Sequence, residues 1–180
     1  MLPSILISDI TDDTGKEILV PQPPATDTGD SQLWLFTDDG DYANGWDSSY
    51  SLEGGGDMDA TPAAGDIDGD GDMDVLSSSR HADEIAWYEN DGSENFTTHS
   101  ITTAADEPYS VYAIDIDGDG DMDVLSASFN DDKIAWYENN GSESFTAHTI
   151  TSSANAAMTV YAIDLDNDGD MDVLSASQED

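Results

Sequence analysis

Nine residues, Asp115-Ile-Asp-Gly-Asp-Gly-Asp-Met-Asp123, hold five carboxylates, with glycine at the fourth and sixth places. Carboxylates this close repel one another unless a cation neutralises them. Oxygen-only ligands at alternate positions suit a hard ion, and Ca²⁺ takes roughly six to eight such oxygens. The same nine residues recur at 66–74. They return at 164–172 with Asn167 for the first glycine and Leu165 for the isoleucine. The steps 66→115 and 115→164 are each 49 residues.

In a loop of this kind, positions one, three, five and nine offer side-chain carboxylates, and position seven offers a backbone carbonyl. The sixth-place glycine permits the turn that wraps these ligands around an ion. The first loop supplies Asp66, Asp68, Asp70 and Asp74, with the carbonyl of Asp72 and the glycine Gly71. The second supplies Asp115, Asp117, Asp119 and Asp123, with Asp121 and Gly120. The third supplies Asp164, Asp166, Asp168 and Asp172, with Asp170 and Gly169. An EF-hand needs a glutamate at position twelve and helices on both sides. Position twelve here is Ser77, Ser126 and Ser175, and both flanks read as strands. A nonapeptide calcium roll fails on its period. Mg²⁺ rarely takes an all-protein carboxylate cage. The bland alternative is an acidic hairpin turn without metal, against which stand three near-identical copies and the cost of their charge. A fourth, degenerate loop is Asp9–Glu17, which keeps Asp9, Asp13 and Glu17 at positions one, five and nine. It has Thr14 at position six and Lys16 within, so it is either metal-free or a weak site.

The elements that must hold these loops read as short strands. In the clearest unit, Val111–Ile116 enters the loop and Val124–Ser128 leaves it. Lys133–Glu138 and Phe145–Ile150 follow, separated by the turn Asn139-Asn-Gly-Ser142. Period-two patterning, β-branched and aromatic residues, and Gly/Asn punctuation mark all four. The preceding unit places strands at 60–67, 75–79, 84–89 and 96–101. The following unit places them at 158–165 and 173–177. The N-terminal third reads as a worn copy: Ile18–Val20 and Gln32–Thr37 are strands, Pro21–Ser31 is a loose connection, and Gly40–Gly56 is an irregular excursion. The divisions are a degenerate unit at 3–56, full units at 57–105 and 106–154, and a half unit at 155–180. The fold class is all-β, made of consecutive four-stranded antiparallel meanders, about three and a half of them.

Composition narrows the partners. Forty-one acidic residues face three basic ones, Lys16, Arg80 and Lys133, for a formal net charge of −38. That excludes nucleic acid and anionic membrane as natural partners. Cysteine is absent, which removes disulfides, thiolate zinc sites and a cysteine nucleophile. No apolar run approaches the roughly 18–20 residues of a membrane span. The opening Met1–Asp9 lacks the basic region and cleavage site of a signal peptide and reads as a strand, so either a leader has been removed or the sequence is an excerpt.

Asp-x-Asp-Gly-Asp-Gly-x-x-Asp followed by Val-Leu, set in a four-strand unit, resembles the FG-GAP/VCBS repeats of integrin-α-like β-propellers. The resemblance covers 57–180 closely and 3–56 loosely. It implies one propeller blade per repeat, with Ca²⁺ in the loop between the first and second strands, so about three sites and a weak fourth. It also implies an extracellular or cell-surface setting. Such propellers commonly have about seven blades, so three and a half imply part of a larger propeller or two chains pairing.

Trp87 and Trp136, with Tyr88 and Tyr137, repeat at matching places. Their repetition favours packing between units over sugar stacking. His99 and His148 are equivalent by repeat and read as structural, and the Arg80–His81 pair reads as surface. Trp46 has no counterpart and is the candidate ligand contact. No Ser–His–Asp set, nucleophile elbow or phosphate-cradling loop is present. The functional reading is a calcium-stabilised extracellular module that recognises or adheres to a protein or glycan. The alternative is the propeller portion of a secreted polysaccharide lyase or hydrolase whose active site lies outside the repeats.

Overall fold

Runs of β-branched and aromatic residues between Gly, Asn and Asp form strands throughout. The computed structural model describes residues 62–92 and 95–179 fully, and before them the backbone of three strands. These are β1 (Leu6–Ser8), β2 (Glu17–Gln22) and β3 (Gln32–Phe36), an antiparallel sheet in that order. β2 runs on through Pro21, which pairs with Leu33, where the sequence pattern expects a loose connection. Among the described residues β1 pairs with Glu17–Leu19 of β2. Trp46, Asp9 and Asp13 lie outside the described residues, as does the Gly40–Gly56 excursion.

Two complete four-stranded meanders follow. The first is β4 (Ala63–Gly65), β5 (Asp74–Ser79), β6 (Glu84–Asn90) and β7 (Phe96–Thr102). The second is β8 (Pro108–Ile114), β9 (Asp123–Ser128), β10 (Lys133–Asn139) and β11 (Phe145–Thr151). A strand pair, β12 (Ala157–Ile163) and β13 (Asp172–Ser177), repeats the first half of the unit. All pairings are antiparallel between sequence neighbours, and no helix occurs among the described residues. The meanders stand side by side with first strands β4, β8 and β12 in succession, an arrangement consistent with propeller-like blades. Gly65 serves this closeness, since a Cβ there would come within 2.9 Å of the Ala113 Cβ on β8.

The strand edges differ slightly from the sequence reading, and the differences matter. Asp74, Asp123 and Asp172 begin strands rather than closing loops, and Asn90 and Asn139 end strands rather than opening turns.

The second strands of the two full meanders, β5 and β9, are buried on both faces, which explains why they read Val-Leu rather than apolar-polar. Val124 joins the core between the two full meanders, with Leu76, Trp87, Val111 and Tyr137. Its neighbour Leu125 faces the opposite core, with Ile134, Val160 and Ala162. The aromatic row is packing, as its repetition suggested: Trp87, Tyr88 and Tyr137 are buried, and Trp136 packs at the margin of the second core.

Turns stitch one meander to the next. Asp83 and Asp132 sit in left-handed backbone at φ 55° and 54°. Their carboxylates accept the N–H of Glu107 at 3.0 Å and of Ala156 at 2.8 Å, residues that are themselves left-handed. Asp132 O also accepts the Ala154 N–H at 2.9 Å. A left-handed alanine is unfavourable, and these bonds hold it in place. Arg80 is more than the surface residue its sequence suggests. Its guanidinium pairs with Glu107 at 3.0 Å and lies 4.7 Å over the ring of Tyr109, which also packs on Phe129.

Burial sets a stability test. β9 and β13 share the sequence Asp-Val-Leu-Ser-Ala-Ser, yet Leu125 is 0% exposed and Leu174 41%. Leu125→Ala should cost about 2–5 kcal/mol and Leu174→Ala under about 1 kcal/mol in urea unfolding.

Candidate metal loops

Each acidic loop joins the first two strands of its unit: 66–73 between β4 and β5, 115–122 between β8 and β9, and 164–171 between β12 and β13. The loops fold on their own carboxylates. Asp66 accepts the Gly69 N–H at 2.9 Å and the Gly71 N–H at 3.1 Å, one on each oxygen. Asp115 does the same with Gly118 at 2.7 Å and Gly120 at 3.1 Å. At positions three and five each aspartate accepts the N–H two residues on: Asp68 from Asp70, Asp70 from Asp72, Asp117 from Asp119, and Asp119 from Asp121. The third loop repeats this through Asp164, Asp166 and Asp168. These bonds turn alternate carboxylates toward a common point.

Backbone conformation explains the glycines and their one replacement. Position four has φ near 77–78° in two loops and is Asn167 at φ 61° in the third. Asparagine tolerates that region. Position six lies at φ 100–102°, beyond the left-handed well, where only glycine is comfortable.

Position nine has a different job. Asp74 and Asp123 are wholly buried. Asp74 accepts the Ile67 N–H of its own loop and the Asn90 N–H from β6, each at 2.8 Å. Asp123 accepts Ile116 N–H at 3.0 Å and Asn139 N–H at 2.8 Å. The third copy, Asp172, accepts Leu165 N–H at 3.0 Å and is exposed. At position seven, the carboxylates of Asp72 and Asp121 lie against Gly92 and Gly141. A Cβ at either glycine would come 3.0 Å from the carboxylate carbon.

Carboxylate oxygens converge to within 4.8 Å in all three loops: Asp66, Asp68 and Asp70; Asp115, Asp117 and Asp123; Asp164, Asp166 and Asp172. Asp119, Asp168 and Asp74 flank these groups, and Asp170 lies at position seven of its loop. Arg80 and Lys133 are engaged elsewhere, with Glu107 and Asp131. An all-oxygen set of converging carboxylates fits a hard divalent cation. Of the degenerate loop, Glu17 opens β2, while Asp9 and Asp13 lie outside the described residues.

His99 and His148 lie on the outer strands β7 and β11. His99 and His148 bond Glu89 and Glu138 at 2.7 and 2.6 Å and pack on Trp87 and Trp136, so both have repeat-equivalent partners. Sequence reasoning missed the part played by Asn90 and Asn139. Their recurrence 49 residues apart was a signal, but they look like ordinary turn residues until the strand is seen to end on them.

The family model for the FG-GAP-like repeat matches residues 66–126 and again 115–175, together more than half of the chain. No curated protein matches its sequence. Among solved structures, the chain is similar to an Agrocybe aegerita lectin that specifically recognises non-reducing terminal N-acetylglucosamine. The TM-score is 0.61 at 17% identity, over 97% of this chain and 47% of the lectin. It is also similar to the V. cholerae biofilm matrix protein Bap1, with a TM-score of 0.57 at 22% identity, over 97% of this chain and 28% of that one. At these identities the likeness is one of fold, and the chain spans less than half of either relative.

Burial pushes the Asp74 carboxyl up from 3.8 to about 7, although N–H donors from Asn90 and Ile67 pull it down. Burial raises Asp123 as well, against the N–H groups of Asn139 and Ile116. A raised folded-state value means that the native state holds the proton more tightly than the unfolded chain. The associated stability is complete below the unfolded value and is lost as pH rises through the folded one. Metal-free protein should therefore lose melting temperature as pH rises from about 4 to about 8. Millimolar Ca²⁺ should blunt or reverse that loss, because it favours the ionised carboxylate. Thermal melts at matched ionic strength check the sign.

Proposed function

The chain belongs to the FG-GAP-like repeat family, and on that footing we propose that it is a calcium-stiffened, propeller-type binding module that works outside the cell on a glycan or protein ligand. One observation carries the reading. Three loops, each 49 residues from the next, draw alternate carboxylates together at the same joint between two strands. The proposed ligands are the carboxylates at positions one, three, five and nine. These are Asp66, Asp68, Asp70 and Asp74; Asp115, Asp117, Asp119 and Asp123; Asp164, Asp166, Asp168 and Asp172. The carbonyls of Asp72, Asp121 and Asp170 complete the sets.

Bound Ca²⁺ supplies charge neutralisation and a cross-link. The chain's own part is to orient the carboxylates through their backbone bonds and to transmit the loop's rigidity into β5 and β9 through buried Asp74 and Asp123. Such a site has a mechanical role, with binding coupled to folding. Setting and ligand class draw support from the relatives of the same fold, a glycan-recognising lectin and a biofilm matrix protein. A glycan panel that includes N-acetylglucosamine-terminated chains tests the reading. Retention in millimolar Ca²⁺, lost in excess chelator together with a fall in melting temperature, is the expected result. A melting curve indifferent to Ca²⁺ overturns it.

A further inference from the structure

Asn139 touches two acidic loops at once. It is 1% exposed and ends β10. Its backbone N–H donates to Asp123 Oδ1 at 2.8 Å, and its Nδ2 donates to the Met122 carbonyl at 3.1 Å, both in the loop of its own repeat. The same Nδ2 donates to the Ile67 carbonyl at 2.8 Å, 72 residues away in the loop of the preceding repeat. Its Oδ1 accepts the Gly141 N–H, which fixes the orientation of the amide. The Ile67 N–H in turn donates to Asp74 Oδ2. Hydrogen bonds therefore link the Asp74 carboxylate to the Asp123 carboxylate by way of two residues, Ile67 through its N–H and C=O and Asn139 through its side-chain amide and backbone N–H.

We propose that Asn139 is a positioning residue that couples cation binding in the 66–74 loop to cation binding in the 115–123 loop. This rests on the calcium reading of those loops. When the first loop closes on an ion, the Ile67 carbonyl is held where the Asn139 amide needs it. The held amide keeps the Asn139 N–H on Asp123 and its side chain on Met122, so the second loop is presented already folded. Coupling of this kind is reciprocal. Both Nδ2 hydrogens are used, one on each loop, so neither bond is replaced by water at this buried position. The third loop is a built-in control. Asp172 is exposed, and its bond from Leu165 comes from within its own loop.

The amides of Gly71, Gly120 and Gly169 each donate to the first aspartate of their loop, so they report the three sites separately. A Ca²⁺ titration of the full chain followed by amide NMR provides the test. Asp66→Ala, which disables the first loop, should weaken binding reported by Gly120 about fivefold, the scale of one net hydrogen bond, and leave Gly169 unchanged. In an Asn139→Leu background, Asp66→Ala should no longer move the Gly120 response. If Asn139→Leu does not fold, Asp66→Ala alone decides. An unchanged Gly120 affinity overturns the coupling while Gly169 still reports a bound ion. Failure of all three amides to respond to millimolar Ca²⁺ overturns the calcium reading, and the coupling with it.

Discussion

A buried carboxylate at the start of the second strand is the constraint on which both full repeats depend. Asp74 and Asp123 have no exposed surface, and each accepts one N–H from its loop and one from the end of the third strand. Removing a carboxylate from water is costly unless hydrogen bonds satisfy it. Here the bonds that satisfy it also tie together three segments that meet at one end of the sheet. Loop, second strand and third strand are thereby held at a single point.

The second constraint is that no sheet stands alone. Val124 and Leu125 are neighbours in sequence but belong to different cores. The second meander therefore gains its burial from the units on both sides, as repeat architectures do. Polar contacts follow the same logic. Asp132 holds the linker to the next unit, Asp83 does so one repeat earlier, and Arg80 adds an ion pair and a ring contact at one junction only. Acidic side chains are thus used at the junctions themselves, where backbone N–H groups and Arg80 satisfy them.

Much of this was legible in the residues themselves. Strand existence, order and pairing follow from local patterning, because alternation and turn chemistry act between neighbours. The three loops were legible for the same reason: their geometry is made by contacts within nine residues, including the glycine that position six requires. The irregular N-terminal third was less legible. There Pro21, usually a strand breaker, is carried in β2 opposite Leu33.

The sequence by itself determined the repeat, its four-strand meander and the acidic residues that each loop brings together. Tertiary structure alone decided which aspartates are buried, since Asp123 and Asp172 sit in identical hexapeptides and differ only in what lies against them. It also decided the roles of Asn139 and Arg80. Their partners are 72 and 27 residues distant, and nothing in local patterning records which carbonyl or carboxylate the packing of one sheet on the next will bring within reach.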